Sequence, residues 1–139
     1  MIQIHLPFSN RMNLYVVVAV GLTILALDAA WLTFRAGYHT AFFKSVQGSP
    51  MVIRIVPAAL VYVLIPVAIT YIVLNHVKTI REAGIKGAAL GAAMYGLYDL
   101  TNYATLTKWT LEMTITDILW GTFVCSMGSM AGLWMSKRV

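Results

Sequence analysis

The sequence predicts an all-α protein, a four-helix transmembrane bundle with short loops. Three observations lead there. The 139-residue chain is 60% hydrophobic and only 11% charged, against about 25% charged residues in a soluble domain. Four apolar runs, 13–34, 55–74, 87–106 and 113–135, are each long enough to cross a bilayer, which takes about 20 residues. The second run holds no charge, and each of the others holds one, an Asp in every case. One membrane domain is expected over 13–139, after an N-terminal tail over 1–12, with helices near 13–35, 53–75, 84–106 and 111–136.

The first helix follows Arg11 and resembles the start of a secretory signal, but its apolar run of about 22 residues exceeds the 7–15 of a signal core. It also carries Asp28 and lacks a small-residue cleavage site, so it reads as an uncleaved span. The tail before it contains His5 and Pro7, and Met12 offers an alternative start. The connection 35–54 contains Gly37, Gly48 and Pro50. Its Tyr38–Lys44 stretch fits a short amphipathic piece lying in the headgroup plane. The second helix contains Pro57 and Pro66, and kinks are expected at both. The connection 75–86 carries Lys78, Arg81, Glu82 and Lys86, and 107–112 is a tight turn with Lys108 and Trp109.

Net charge is +5. The Lys and Arg residues fall in loops and tails, where they set orientation and meet anionic headgroups. Six of them (Arg11, Lys78, Arg81, Lys86, Lys137, Arg138) share the side of the two termini, against four (Arg35, Lys44, Arg54, Lys108) on the other. The positive-inside rule therefore predicts an integral, multi-pass membrane protein with both termini in the cytoplasm. The expected partner is the lipid bilayer, with self-association open. No basic-aromatic platform for nucleic acid is present. The single Cys125 cannot form an internal disulfide and reads as a packed thiol.

Three of the five acidic residues, Asp28, Asp99 and Asp117, lie inside apolar runs. Such residues are costly in a bilayer and mark functional sites by default. Asp28 and Asp99 lie about seven residues before their helices end, and Asp117 about six after its helix begins. At 1.5 Å per residue all three sit about 9–11 Å below one membrane surface. Asp28 shares a helix face with Trp31, Asp117 with Trp120, and Asp99 with Tyr95 and Asn102. Small residues, among them Gly21, Ala88, Ala92, Gly121 and the pair Gly128 and Gly132, lie on or near the same faces and let helices approach closely.

Three close carboxylates repel, so a shared proton or an intervening cation is needed. Arg35, Arg54 and Lys108 are the candidate counter-charges. Tyr62, Tyr98, Tyr103 and Asn102 can donate hydrogen bonds, with Asp99 as the central member. The candidate polar cluster is thus Asp28, Trp31, Tyr62, Tyr98, Asp99, Asn102, Asp117 and Trp120. No catalytic residue, metal site or cofactor is expected. The three His residues fall in tails or loops, and no nucleophile elbow, P-loop or dinucleotide motif occurs.

The segments Asp28-Ala29-Ala30-Trp31-Leu32, Pro57-Ala58-Ala59-Leu60-Val61-Tyr62, Tyr95-Gly96-Leu97-Tyr98-Asp99-Leu100-Thr101-Asn102 and Asp117-Ile118-Leu119-Trp120-Gly121 occur in that order. Together they resemble a family of small predicted membrane proteins catalogued as domain of unknown function two-one-seven-seven. The resemblance covers nearly everything after Met12. It implies a four-span membrane protein whose acids belong to its motif, in a family found in bacteria and large DNA viruses, with no assigned activity. A viral source would fit a virion-membrane role. The residues support a non-enzymatic membrane protein with a structural or membrane-organising polar core. The alternative is a small proton- or cation-coupled transporter or channel. A lipid-directed enzyme ranks third, since neither a nucleophile nor a metal site is evident.

Overall fold

A computed structural model describes residues 10–139, with side-chain surroundings from Leu14 onward. The element order is α1 (Asn10–Phe34), α2 (Ala36–Gln47), α3 (Ile55–Ala68), a π turn (Ile69–Val73), a 3-10 turn (Leu74–His76), α4 (Ile80–Thr105) and α5 (Leu111–Ser136). No strand occurs among the described residues. The expected tail over 1–12 falls largely outside them, and Asn10–Met12 already belong to α1.

α1 ends at one residue. Arg35 leaves helical geometry at φ −98, ψ 11, yet its amide still donates to the Trp31 carbonyl at 2.9 Å and its carbonyl accepts from His39 at 3.0 Å. The chain therefore turns directly into α2, and most of the connection expected to be a loop is a 12-residue helix. α2 stops at Gly48, where φ is +76. Only glycine enters this left-handed conformation without steric cost, and it lets the Gly48 amide close on the Lys44 carbonyl at 2.9 Å.

The two prolines of the second span behave differently. Pro57 is the third residue of α3, where its missing N–H has no helical acceptor to lose, so the kink expected there is absent. Pro66 lies inside the helix and cannot donate to the Tyr62 carbonyl. The π turn begins three residues later, and Thr70 Oγ1 donates back to the Pro66 carbonyl at 2.8 Å. Gly21 of α1 faces this spot: a Cβ there would lie 3.4 Å from Pro66 Cγ and 3.9 Å from the Tyr62 carbonyl oxygen.

α4 starts with a capping box. Glu82 N donates to Thr79 Oγ1 at 3.2 Å and Thr79 N donates to Glu82 Oε2 at 3.2 Å. Lys78 N adds a third bond, at 2.9 Å. These amides hold the exposed Glu82 carboxyl below its ordinary range. α5 is capped by Thr110, whose Oγ1 accepts from Met113 N at 3.2 Å.

α5 is the centre of the assembly. Its partners on α4 descend in number as those on α5 ascend: Gly84 meets Met130, Gly87 meets Ser129, Gly91 meets Gly121 and Cys125, and Gly96 meets Ile118. The two helices are therefore antiparallel and almost in backbone contact. A Cβ on Gly91 would collide with the Gly121 carbonyl, and one on Gly121 with the Tyr95 ring. α1 also runs antiparallel to α5, with Val20 and Ile24 against Gly128 and Val20 and Val16 against Gly132. The main core, including Val20, Ile24, Ile69, Leu74, Val124 and Leu133, lies toward the ends of the helices away from α2. A second cluster of Phe42, Trp109 and Met113 closes the α2 end.

Three helical segments are long and apolar enough to cross a membrane: Leu14–Phe34, Ile55–His76 and Leu111–Ser136. α4, with 26 residues, spans about 39 Å and is long enough. It does not join the three because Gly and Ala dominate its first half and Arg81, Glu82 and Lys86 open it. The outer faces remain apolar, with Leu22, Leu64, Leu97 and Leu119 all exposed. Apolar surface on that scale is an interaction surface, here one suited to lipid.

Candidate functional site

The polar layer lies between the two apolar clusters and has two halves. The first joins α1 to α5. Trp120 Nε1–H donates to Asp28 Oδ1 at 2.7 Å, and the Tyr62 hydroxyl faces the same carboxylate from α3. Trp31 stacks on Trp120 with ring centroids 4.6 Å apart and planes within 7°. The matching Asp-x-x-Trp spacing of the two helices thus makes one joint, in which one Trp donates to the acid and the other stacks on the donor. Asp28 is 9% exposed. Its burial is compensated by a charge-assisted bond.

The second half joins α4 to α5. Asp99 is 0% exposed. Asp117 and the Trp109 indole flank it, but neither carboxylate oxygen has a hydrogen-bond partner among the described residues. The hydrogen bonds expected from its own helix are not made: the Tyr98 hydroxyl faces Asn102 instead. Tyr95 lies nearer the middle of the layer, within the fields of Asp28 and Asp117. Asp117 is half-buried and stands between the other two acids, adjacent to Asp99 and in the field of Asp28. The three acids predicted to share a depth are therefore brought together, with Asp117 as the link.

His39 was expected in a loop, away from the acids. The structure places it on the buried face of α2, 9% exposed, in the field of Asp117. Burial, and next the Arg35 guanidinium, lower its basicity, while Asp117 partly restores it. His39 Nδ1 and Trp109 Nε1 have no hydrogen-bond partner among the described residues. The signal that could have found His39 is its spacing from Phe42, one turn apart on the face that α2 buries.

The candidate counter-charges divide. Arg35 is drawn in, with its guanidinium 4.1 Å from the Tyr38 ring centroid and 5.3 Å from that of Trp31. Its ionic partner is Glu112, at 3.8 Å, rather than one of the three buried acids. Arg54 and Lys108 are exposed and form no ion pair among the described residues.

Two cavities open beside the second half. One, of about 350 Å³, lies under α2 and is lined on its polar side by His39, Tyr98, Trp109 and Asp117. The other, of about 270 Å³, lies between α3, α4 and α5 and is lined by Tyr95, Tyr98, Asp117 and apolar residues including Met94. Tyr98 and Asp117 belong to both. No group of three or more His, Cys, Asp or Glu residues among those described could hold a metal ion.

Neither the curated proteins nor the solved structures contain a match to this chain. A family model does match it. The family is described as "Predicted membrane protein (DUF2177)", and the match runs over residues 13–134, from the start of the first apolar run to two residues before the end of α5. That stretch contains all three acids and both Trp residues of the α1–α5 joint, and the chain belongs to this family of predicted membrane proteins.

Proposed function

We propose that this is a four-span, non-enzymatic integral membrane protein whose Asp99–Asp117 pair handles a proton or cation, while its Asp28–Trp120 joint fixes the bundle. The span count rests on direction and contact. α1 and α4 both run antiparallel to α5, as they must in an up-down-up-down bundle. α4 packs against α5 from Gly84 to Gly96, so a bilayer crossed by α5 also contains α4. The charges at the start of α4, together with Lys137 and Arg138, support a cytoplasmic side for both termini under the positive-inside rule.

One observation carries the functional reading: the fully buried Asp99 has neither oxygen partnered among the described residues. A polar group kept only to fix helix register has its bonds satisfied, as Asp28 does. A buried acceptor left open beside a second carboxylate and two cavities suits a group that takes up and releases a positive charge. The membrane-organising reading draws instead on the Asp28 joint and predicts no flux.

Proton and potassium flux into liposomes holding the purified protein tests the two readings. Asp99→Asn and Asp117→Asn are expected to abolish flux while the protein stays folded, and Trp120→Phe to leave flux but lower stability. Wild-type liposomes no leakier than empty ones would remove the transport reading and leave the membrane-organising one.

A further inference from the structure

We propose that the 350 Å³ cavity under α2 is a binding site for an organic ammonium group, with Asp117 as its counter-ion. The inference rests on the reading of Asp99–Asp117 as a cation-handling pair and names the class of cation. The cavity lies where α2 and the segment before α3 close over the end of α4 and the start of α5. Its volume is in the range of small-molecule sites, about 300–1,000 Å³, and far exceeds the roughly 30 Å³ share of one water.

Charge selects the sign of the ligand. Asp117 lines the cavity and Asp99 stands beside it. Arg35, whose field reaches His39, is paired with Glu112 and lies over the Tyr38 face, and no Lys or Arg lines the cavity. Burial, and next the nearby guanidinium, lower the basicity of His39 against a partial opposing effect of Asp117. Two carboxylates without a fixed positive partner disfavour an anion and favour a cation.

The walls select its type. Hard metal ions take six to eight oxygen ligands, and the cavity's polar side offers one carboxylate and one phenol in company with two ring nitrogens. The remainder is apolar and aromatic. Phe43 and Tyr98 each stand nearly perpendicular to Trp109, at centroid distances of 6.0 and 5.8 Å, so ring faces and edges form a corner. Such a corner attracts ammonium groups by cation–π interaction. Met51, Ile53 and Met113 complete an apolar wall that suits carbon substituents.

Acidic residues alone would not mark a site. His39 Nδ1 and Trp109 Nε1 are the independent observation. Both side chains are more than nine-tenths buried, line this cavity and lack a partner among the described residues. A primary ammonium donates to Asp117 and to an unprotonated Nδ1 of His39, while Trp109 Nε1–H remains for Asp99 or for an oxygen on the ligand. The same ammonium occurs on a free alkylamine and on the headgroup of phosphatidylethanolamine.

The test is equilibrium dialysis of the full-length protein in a non-ionic detergent against n-butylammonium, with n-butanol and sodium chloride as controls. Saturable binding of one equivalent, displaced by neither control, is expected. Asp117→Asn should weaken it at least tenfold. Ile53→Trp should do the same by filling the cavity from an exposed position, with the melting temperature unchanged. Binding that both variants leave intact, equal displacement by n-butanol, or no saturable binding would overturn the proposal. Native mass spectrometry after purification with phosphatidylethanolamine and phosphatidylglycerol separates the sources. Retained phosphatidylethanolamine that n-butylammonium displaces assigns the site to the headgroup, and n-butylammonium binding without retained lipid assigns it to a free amine. Flux that depends on Asp99, without n-butylammonium binding, would overturn this inference and leave the proton reading intact. Binding without flux would support it and overturn transport.

Discussion

Asp28 and Asp99 are carboxylates of one chain, each on a helix that packs antiparallel to α5, yet their surroundings are opposite. Asp28 is met by an indole N–H at 2.7 Å and faced by a phenol from a third helix. Asp99 is buried more completely and is left with a carboxylate neighbour, an indole that does not close a bond, and two cavities nearby. Neutralising the first should cost the fold, and neutralising the second should cost only what the site does. An equal depth expected from residue counting therefore does not imply an equal role. The role depends on whether the facing helix offers a donor, as α5 does at Trp120, or another acceptor, as it does at Asp117.

The largest effect should come from prising the second half apart. Gly91→Val places a branched side chain against the Gly121 carbonyl, where backbone cannot yield. Overpacking costs about 1–3 kcal/mol and occasionally more. A contact with backbone belongs at the upper end, and thermal unfolding in detergent should show a large drop in melting temperature. Engineered disulfide trapping between α1 and α5 should persist while trapping between α4 and α5 is lost. Loss of both would show that the two halves are one cooperative unit.

Next in size is Asp28→Leu, which leaves the half-buried Trp120 Nε1–H without its acceptor. Bonds to charged groups contribute about 1.5–3 kcal/mol, so a loss of that order is expected, with Asp28→Asn milder. Asp99→Leu, by contrast, removes a buried carboxylate that has no bond to lose, and should match or exceed wild-type stability while abolishing flux. If Asp99→Leu proves as destabilising as Asp28→Leu, the distinction between the halves fails.

A smaller effect concerns pH. Burial and Arg35 depress the folded-state basicity of His39, against a partial opposing effect of Asp117. The unfolded chain therefore binds the proton more readily, and stability rises with pH across that interval. The contribution is complete above the ordinary histidine pKa of about 6.5. It is lost as pH falls from there through the depressed folded value. Melting temperatures between pH 5 and 8 should show this slope in the wild type and a shallower one in His39→Gln. Smallest of all, Arg54→Ala and Lys108→Ala should change stability by no more than about 0.5 kcal/mol, as exposed substitutions usually do. A larger effect would place these residues in a charge network with the acids.

Three apolar spans and the neighbourhood of Asp99 and Asp117 were legible because each depends on one helix at a time. Periodicity sets the face, residue counting sets the depth, and the Gly and Ala positions mark where helices touch. Gly91 and Gly121 were absent or only loosely placed in that reading because their use depends on the mutual register of α4 and α5. The contribution of α2 was not legible for a related reason. Tyr38–Lys44 has the composition of an interfacial segment, and Trp109, some seventy residues later, gives Phe42 a surface to bury against. Arg35 pairs with Glu112 because the turn after α1 brings it to the exposed start of α5 rather than down to the acids. Pro57 misled because a proline's effect depends on its distance from the helix start, which the apolar run did not define.

The central place of α5 also sets a timetable. α5 leaves the ribosome after α1 and α4, yet it supplies the Trp120 donor to Asp28 and the Asp117 neighbour to Asp99. Until it is in place, Asp28 lacks the indole donor that compensates its burial, and Asp99 lacks the helix that encloses it. A chain stopped before α5 therefore keeps Asp28 without its donor and the glycine face of α4 uncovered. The arrival of α5 thus acts as a proofreading step, which closes both halves of the polar layer or leaves the earlier helices open.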